Sequence, residues 1–169
     1  MNPAGPELLS RLLDEHAAAL VLYAQQWCRG PEDVVQEALL ELVRQPTVPE
    51  NVVGWLYRVV RNRAISASRS ETRRSRRELA AAEARGPWFA ASEGDRLDVA
   101  AATAALEQLP IEQRETIVAR LWGGLSLAEV AELTGTSTAT AWRRYESGLA
   151  ALRERLGVTC VQKKTSRRS

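Results

Sequence analysis

The chain has 169 residues, with 45% apolar and 26% charged side chains, and 23 Lys and Arg against 21 Asp and Glu leave a formal charge of only +2. That length holds one medium domain or two small ones, and the composition excludes a wholly disordered or collagen-like polymer. The small sum hides alternating blocks: −5 over residues 1–50 (3 bases, 8 acids), +7 over 51–77 (8 and 1), −6 over 78–142 (4 and 10) and +6 over 143–169 (8 and 2).

Nearly every strong signal has helical period, and no run alternates like a half-buried strand. A first helix is expected from about Leu8 to Cys28, stopped near Gly30. A second starts at Pro31, a residue suited to the first helical position, with Glu32 and Asp33 complementing the helix dipole, and ends before Pro46. On it Val34, Val35, Ala38, Leu39, Leu42 and Val43 form one apolar arc. Asp33, Gln36, Glu37, Glu41 and Arg44 form the other side, with Leu40 among them. Such a Leu is either an ordinary surface residue or the centre of an acidic docking patch.

Residues 45–51 read as a loop. A third helix starts near Asn51 or Val53 and runs into the Arg-rich segment. It turns Trp55, Leu56, Val59, Val60 and Ala64 inward and Arg58, Arg61, Ile65 and Arg69 outward, while Arg63 projects into the apolar arc, with snorkelling as its escape. With Arg73, Arg74, Arg76 and Arg77 this makes either a solvated basic face or a nucleic-acid track beside aromatic residues. From about Glu78 to Asp98 the Ala-rich chain, interrupted by Gly86-Pro87 and Gly94, suits a linker or a weak helix. Beyond Pro110 come three closely spaced helical segments to about Leu156, then a basic tail.

Ser126-Leu-Ala-Glu129 is a capping box, Thr134-Gly135-Thr136 is a short turn with a glycine able to take positive φ, and Ser137 is placed to cap the next helix. Helix, short Gly-containing turn, helix is the helix-turn-helix pattern. On the second helix Ala141, Tyr145, Leu149, Leu152 and Leu156 cluster on one side and Thr140, Arg143, Arg144 and Ser147 on the other, with Trp142 at the boundary. Such hydroxyl and Arg side chains suit base edges and phosphates in a major groove. The plainer alternative is a helical hairpin with a solvated outer face.

Catalytic and metal-binding spacings are absent. Cys28, Cys160 and the single His16 form no zinc or Cys/His pattern, and there is no Gly-rich phosphate loop, no G-x-S-x-G and no H-E-x-x-H. No enzyme, cofactor or metal is therefore expected. No export signal is visible at the N-terminus and no apolar run approaches the roughly 18–20 residues of a membrane span. With its sparse cysteines, the chain is expected to be cytoplasmic.

Four segments taken in order, Asp33-Val-Val-Gln36-Glu37-Ala-Leu-Leu-Glu-Leu, Trp55-Leu-Tyr-Arg-Val-Val-Arg-Asn62-Arg-Ala-Ile, Leu106-Glu-Gln-Leu-Pro110 to Arg114, and Gly124 through Gly135 and Thr140 to Leu152, resemble bacterial RNA polymerase sigma factors of the extracytoplasmic-function group. The likeness spans about residues 8–156. It implies an all-α protein of two small helical domains: an N-terminal domain over 1–79, a linker over 80–101, a helix-turn-helix domain over 102–157 and a basic tail over 158–169. It further implies a non-catalytic specificity subunit. Asp33, Gln36, Glu37 and Leu40 would dock on core RNA polymerase. Arg58, Arg61, Asn62 and Arg69 would engage and help open the −10 element. Thr140, Trp142, Arg143, Arg144, Glu146 and Ser147 would read the −35 element. Promoter DNA and core RNA polymerase are thus the implied partners, with an anti-sigma factor as a further candidate. Three positions depart from the family's usual pattern: Ser66 stands where an acid commonly follows the Asn by four residues, Ala141 where Val is usual, and bulky Trp142 where smaller or basic residues are frequent. Function is carried over, not a promoter sequence. A stand-alone helix-turn-helix regulator, binding a palindromic site without polymerase, is the main rival. An adaptor using only its acidic 31–44 face is the other.

Overall fold

Proline opens the first two helices, where its missing N–H costs nothing. In the computed structural model, which describes residues 4–77 and 96–157, α1 spans Pro6–Ala24 and α2 spans Pro31–Arg44. They are followed by α3 (Val52–Arg77), α4 (Arg96–Glu107), α5 (Ile111–Leu121), α6 (Leu127–Thr134) and α7 (Thr138–Arg155). The described residues are helices and their connections, without a strand.

Most boundaries follow local chemistry. Gln45, forced out of the helical region by Pro46, ends α2 at φ −64°, ψ 138°. Asn51 starts α3 by accepting the Gly54 N–H on its Oδ1 at 2.9 Å. α1, however, stops at Ala24, short of the expected Cys28. Its last turn tightens, with Gln26 N–H donating to Tyr23 O and Trp27 N–H to Ala24 O, and the Gln26 side-chain amide also donates to Tyr23 O. Conversely, helix returns at Arg96, inside the segment expected as a linker. The rest of that linker and the 158–169 tail lie outside the described residues.

α1, α2 and α3 pack pairwise around Leu20, Tyr23, Ala38, Leu42, Leu56, Val60 and Ala64, all buried. Tyr23 meets Trp27 and Tyr57 edge-on at ring-centroid distances of 5.1 and 4.9 Å. In the second group α7 packs across α4, α5 and α6 over Leu106, Ile117, Val118, Val130 and Ala141. A Cβ on Gly148 would lie 2.6 Å from Ile117 Cδ1, so the glycine permits the close approach of α5 and α7. The two groups also touch each other, α1 on α5 and α3 on α6, and the buried apolar residues of both form one continuous cluster.

Candidate nucleic-acid interface

The helix-turn-helix is held at each of its joints by side chains that the backbone needs there. Ser126 Oγ accepts the Glu129 N–H at 3.2 Å, and Glu129 Oε2 accepts the Ser126 N–H at 2.7 Å, closing the capping box of α6. The Ser126 N–H is also the main cause that holds the Glu129 carboxyl below its usual range. Gly135 ends α6 in the left-handed region at φ 67°, ψ 35°, and Thr136 N–H donates back to Ala131 O at 2.9 Å, a Schellman closure. Ser137 then accepts the Thr140 N–H at 3.2 Å and caps α7.

Geometry this constrained fixes how α7 presents its side chains. Ala141 is buried against the core, which turns Trp142 (53% exposed) and Arg143 to solvent. Ser137 Oγ, Thr140 Oγ1 and Arg143 Nη2 form a hydrogen-bonded chain at 3.0 and 3.2 Å along the helix N-terminus. One turn on, Glu146 and Ser147 are exposed, and Ser147 Oγ donates to Arg143 O at 2.8 Å, leaving its oxygen able to accept. Of the six residues singled out on this helix, Trp142, Arg143, Glu146 and Ser147 are exposed, and Thr140 and Arg144 are half-buried.

On α3, Arg58, Asn62 and Arg69 are exposed at helical spacing, with Ser66 and Arg73 continuing the stripe. Arg61 is placed differently from its expected outward position. Its Nε donates to Glu115 Oε1 at 2.5 Å and its Nη2 to Glu115 Oε2 at 3.5 Å, while Tyr23 Oη donates to the same Oε1 at 2.6 Å. Glu115 is only 3% exposed. Burial would lower the Arg61 guanidinium, but the hydrogen bond and charge of Glu115 outweigh it and hold Arg61 above its ordinary value. Burial and the adjacent carboxylate together push the Tyr23 phenol well up, so it remains a donor.

The third surface is the outer face of α2, where Asp33, Gln36, Glu37 and Leu40 are all exposed, Leu40 by 45%. Arg63, which a helical wheel leaves among apolar neighbours, reaches across from α3. Its Nη1 donates to Glu37 Oε2 and its Nη2 to Glu41 Oε2, both at 2.6 Å. The hydrogen bond to Glu41, followed by the charges of both acids, holds Arg63 above its ordinary value. Part of the acidic face is thus already neutralised. Between α2 and α3 runs a groove bordered by Asp33, Glu37, Asn62, Arg63 and Glu71 together with Val34, Val59 and Ala67.

Sequence reasoning passed over Tyr23, Asn51, Glu115 and Glu129 as contributors to these surfaces. The acid at 115 carried a readable signal: it stands beside Thr116, Ile117 and Val118 on the inward side of a short helix, where an unpaired carboxylate is costly. Its partner was not readable, because Arg61 lies 54 residues earlier.

Two family models match the chain: sigma-70 region 2 over residues 12–74 and sigma-70 region 4 over residues 100–152. No curated protein matches it. Among solved structures it is similar to the sigma factor RpoE from Bartonella quintana, crystallised in complex with the anti-sigma factor NepR, at a TM-score of 0.75 and 23% identity over 91% of this chain and 99% of that one. It is also similar to CnrH in complex with the cytosolic domain of CnrY, at a TM-score of 0.60 and 22% identity over 90% of each chain. At these identities the structural likeness speaks for the fold. Among the described residues no helix is long and apolar enough to cross a membrane.

Proposed function

The chain belongs to the sigma-70 family, pairing region 2 with region 4 as extracytoplasmic-function sigma factors do, and on that premise we propose that it carries core RNA polymerase to its promoters. In this reading the outer face of α2, with Asp33, Gln36, Glu37 and Leu40, docks on the polymerase. The 46–51 loop and the α3 stripe of Arg58, Arg61, Asn62 and Arg69 engage the −10 element and stabilise its opened strand by charge and stacking. α7 enters the major groove at the −35 element, with Thr140, Trp142, Arg143, Arg144, Glu146 and Ser147 toward the bases and phosphates.

The observation that carries the reading is the capped helix-turn-helix, whose Ser137–Thr140–Arg143 chain and exposed Trp142 stand on one open helix face. It follows, in sequence, a basic helix and an acidic one. Two modest DNA contacts joined in one chain gain affinity by effective concentration once polymerase holds them at the right spacing, so the free protein should bind promoters poorly. The Arg contacts make binding salt-dependent, with log K falling by roughly 0.9 per phosphate neutralised on duplex DNA. As a member of a family that directs initiation, the chain is assigned no catalytic residue. A partner that silences it, of the kind that NepR is for RpoE, is part of the same proposal.

The deciding experiment is promoter-dependent transcription in vitro by purified core polymerase with and without the protein. Specific initiation that is lost when either promoter element is scrambled is the expected result. No gain in specific initiation, where another sigma factor works, refutes the reading. Tight binding to a palindromic site without polymerase would favour a stand-alone regulator instead.

A further inference from the structure

Trp142 is the most exposed large apolar side chain among the described residues, at 53%. Trp27 and Trp55 are unlike it: the first stands edge-on to Tyr23 at 5.1 Å, and the second is half-buried against the core. Among the described residues nothing stacks on the Trp142 ring or accepts its Nε1–H. Its place follows from the cap. Ser137 is the N-cap and Thr138 the first residue of α7, so Trp142 stands about 6 Å further along the axis at roughly 1.5 Å per residue. Thr138 and Ala139, one turn earlier on the same side, are exposed and short, which leaves the indole open to a base edge.

Base edges in the major groove are polar but for one group, the C5-methyl of thymine, which lies beside the O4 acceptor of the same base. An indole is an apolar body with one donor and no acceptor. It therefore matches thymine better than any other base: guanine and adenine offer acceptors without an apolar group, and cytosine turns a donor into the groove. We infer that Trp142 is a specificity-determining residue of α7, reading a thymine of the −35 element through its C5-methyl group. The inference deepens the −35 reading of α7 and rests on it.

The surroundings of the ring suit a polyanion. Arg143, exposed, follows it directly, Arg144 comes next, and the N-terminus of α7 adds the positive end of the helix dipole. Arg143 is tied back over the first turn, with Nη2 donating to Thr140 Oγ1 at 3.2 Å and that hydroxyl sharing a hydrogen bond with Ser137 Oγ at 3.0 Å, so the guanidinium is engaged there and not stacked on the indole. Glu146, the exposed acid one turn on, is of the type that accepts from a cytosine amine, so it too has a base-edge partner.

The test uses the full chain with core RNA polymerase and a promoter library randomised across the −35 element. Sequencing of the transcribed templates should show an A·T pair enriched at one position or more with the wild-type chain, and that enrichment should be lost with Trp142→Ala. On the enriched promoter, deoxyuridine in place of the thymine removes the methyl group and keeps every hydrogen-bonding atom. It should weaken binding by polymerase carrying the wild-type chain about 3–5-fold, the value of one buried methyl, and leave binding by polymerase carrying Trp142→Ala unchanged. Comparing the four combinations cancels any effect of the methyl on the DNA itself. Trp142→Phe, which keeps a ring without the N–H, should retain the response to the methyl. Trp142→Ala should melt within a degree or two of the wild type and capture polymerase equally in a pull-down, as fits an exposed side chain. Equal weakening by deoxyuridine with the wild type and with Trp142→Ala overturns the inference, as does an enriched −35 element without an A·T pair that depends on Trp142. Loss of polymerase capture by Trp142→Ala places the ring on the polymerase and overturns it too. Transcription with no −35 sequence enriched by the wild type instead overturns the reading of α7 as the −35 helix.

Discussion

Replacing Arg61 by Met isolates the energetics of the Tyr23–Glu115–Arg61 cluster. The Glu115 side chain is 4% exposed and the Arg61 side chain 25%. Two unit charges about 4 Å apart at an effective dielectric near 20 attract by about 4 kcal/mol, and desolvation of both ions takes back most of that. Arg61→Met leaves the carboxylate buried with Tyr23 as its remaining partner, a loss of about 3–5 kcal/mol if the closed form persists. Opening the interface hydrates Glu115, so the actual loss is capped by the interface's own free energy. Glu115→Leu costs less, about 1–2 kcal/mol, because the more exposed guanidinium can swing to water. The double variant Arg61→Met/Glu115→Leu restores an apolar match and should return to within about 1 kcal/mol of the wild type. Urea unfolding followed by circular dichroism gives the cycle, and calorimetry reports whether the two helical groups melt together, as expected for the wild type and the double variant, or separately, as expected for Arg61→Met. Single-variant losses that simply add in the double variant would mean that the two charges do not share a buried site, and the account of the interface would fall.

Other outcomes are as specific. Gly135→Val places a β-branched residue at φ 67° and should destabilise the α6–α7 unit by about 1–3 kcal/mol, read as a lower melting temperature, with Gly135→Asn much milder. Leu40→Asp should weaken polymerase binding in a pull-down while leaving the melting temperature within a degree or two. Glu37→Lys is the poorer probe, since it also breaks the 2.6 Å pair with Arg63 and sets two cations together. Because the Glu129 carboxyl is held below its ordinary value, chiefly by the Ser126 N–H, its contribution is complete above the usual carboxylate range and fades as pH falls through the lowered value; Glu129→Gln should flatten that part of the melting-temperature profile between about pH 5 and 3. Arg143→Ala should spare polymerase binding and reduce transcription from promoters with an intact −35 element, and equal loss on scrambled ones would contradict the assignment.

What could be read from the chain beforehand was whatever is encoded within a turn or two of helix. Ser126 to Glu129, Gly135, Ser137 and Pro31 each act on backbone groups three or four residues away, and a helix-turn-helix follows from them without tertiary knowledge. The burial of Leu56, Val60 and Ala64 follows from period alone. Arg61 and Arg63 show where that reach ends. Both sit on α3 near its apolar arc, and period says only that one points outward and the other awkwardly inward. Their environments are decided by Glu115, 54 residues later, and by Glu37 and Glu41, more than 20 residues earlier. The early end of α1 is a local matter instead, since the Gln26 amide donates to the Tyr23 carbonyl only three residues away, a competition that composition does not announce.

The alternating charge blocks take on a double meaning in this structure. Acidic α2 meets basic α3 through Arg63, and basic α3 meets the acidic 78–142 block through Arg61, while Asn51 just before α3 meets the same block through Glu129. Neighbouring blocks are thus complementary inside the folded chain before any DNA arrives. The bases that would hold promoter DNA are therefore not all equally available. Arg58, Arg69 and Arg143 are exposed, whereas Arg61 is held by a buried acid. Added salt should act differently on the two sets. Contacts between exposed Arg and phosphate weaken steeply with ionic strength, but a buried pair is barely screened. Raising salt should therefore weaken DNA contacts made through Arg58, Arg69 and Arg143 while leaving the Arg61–Glu115 contact intact.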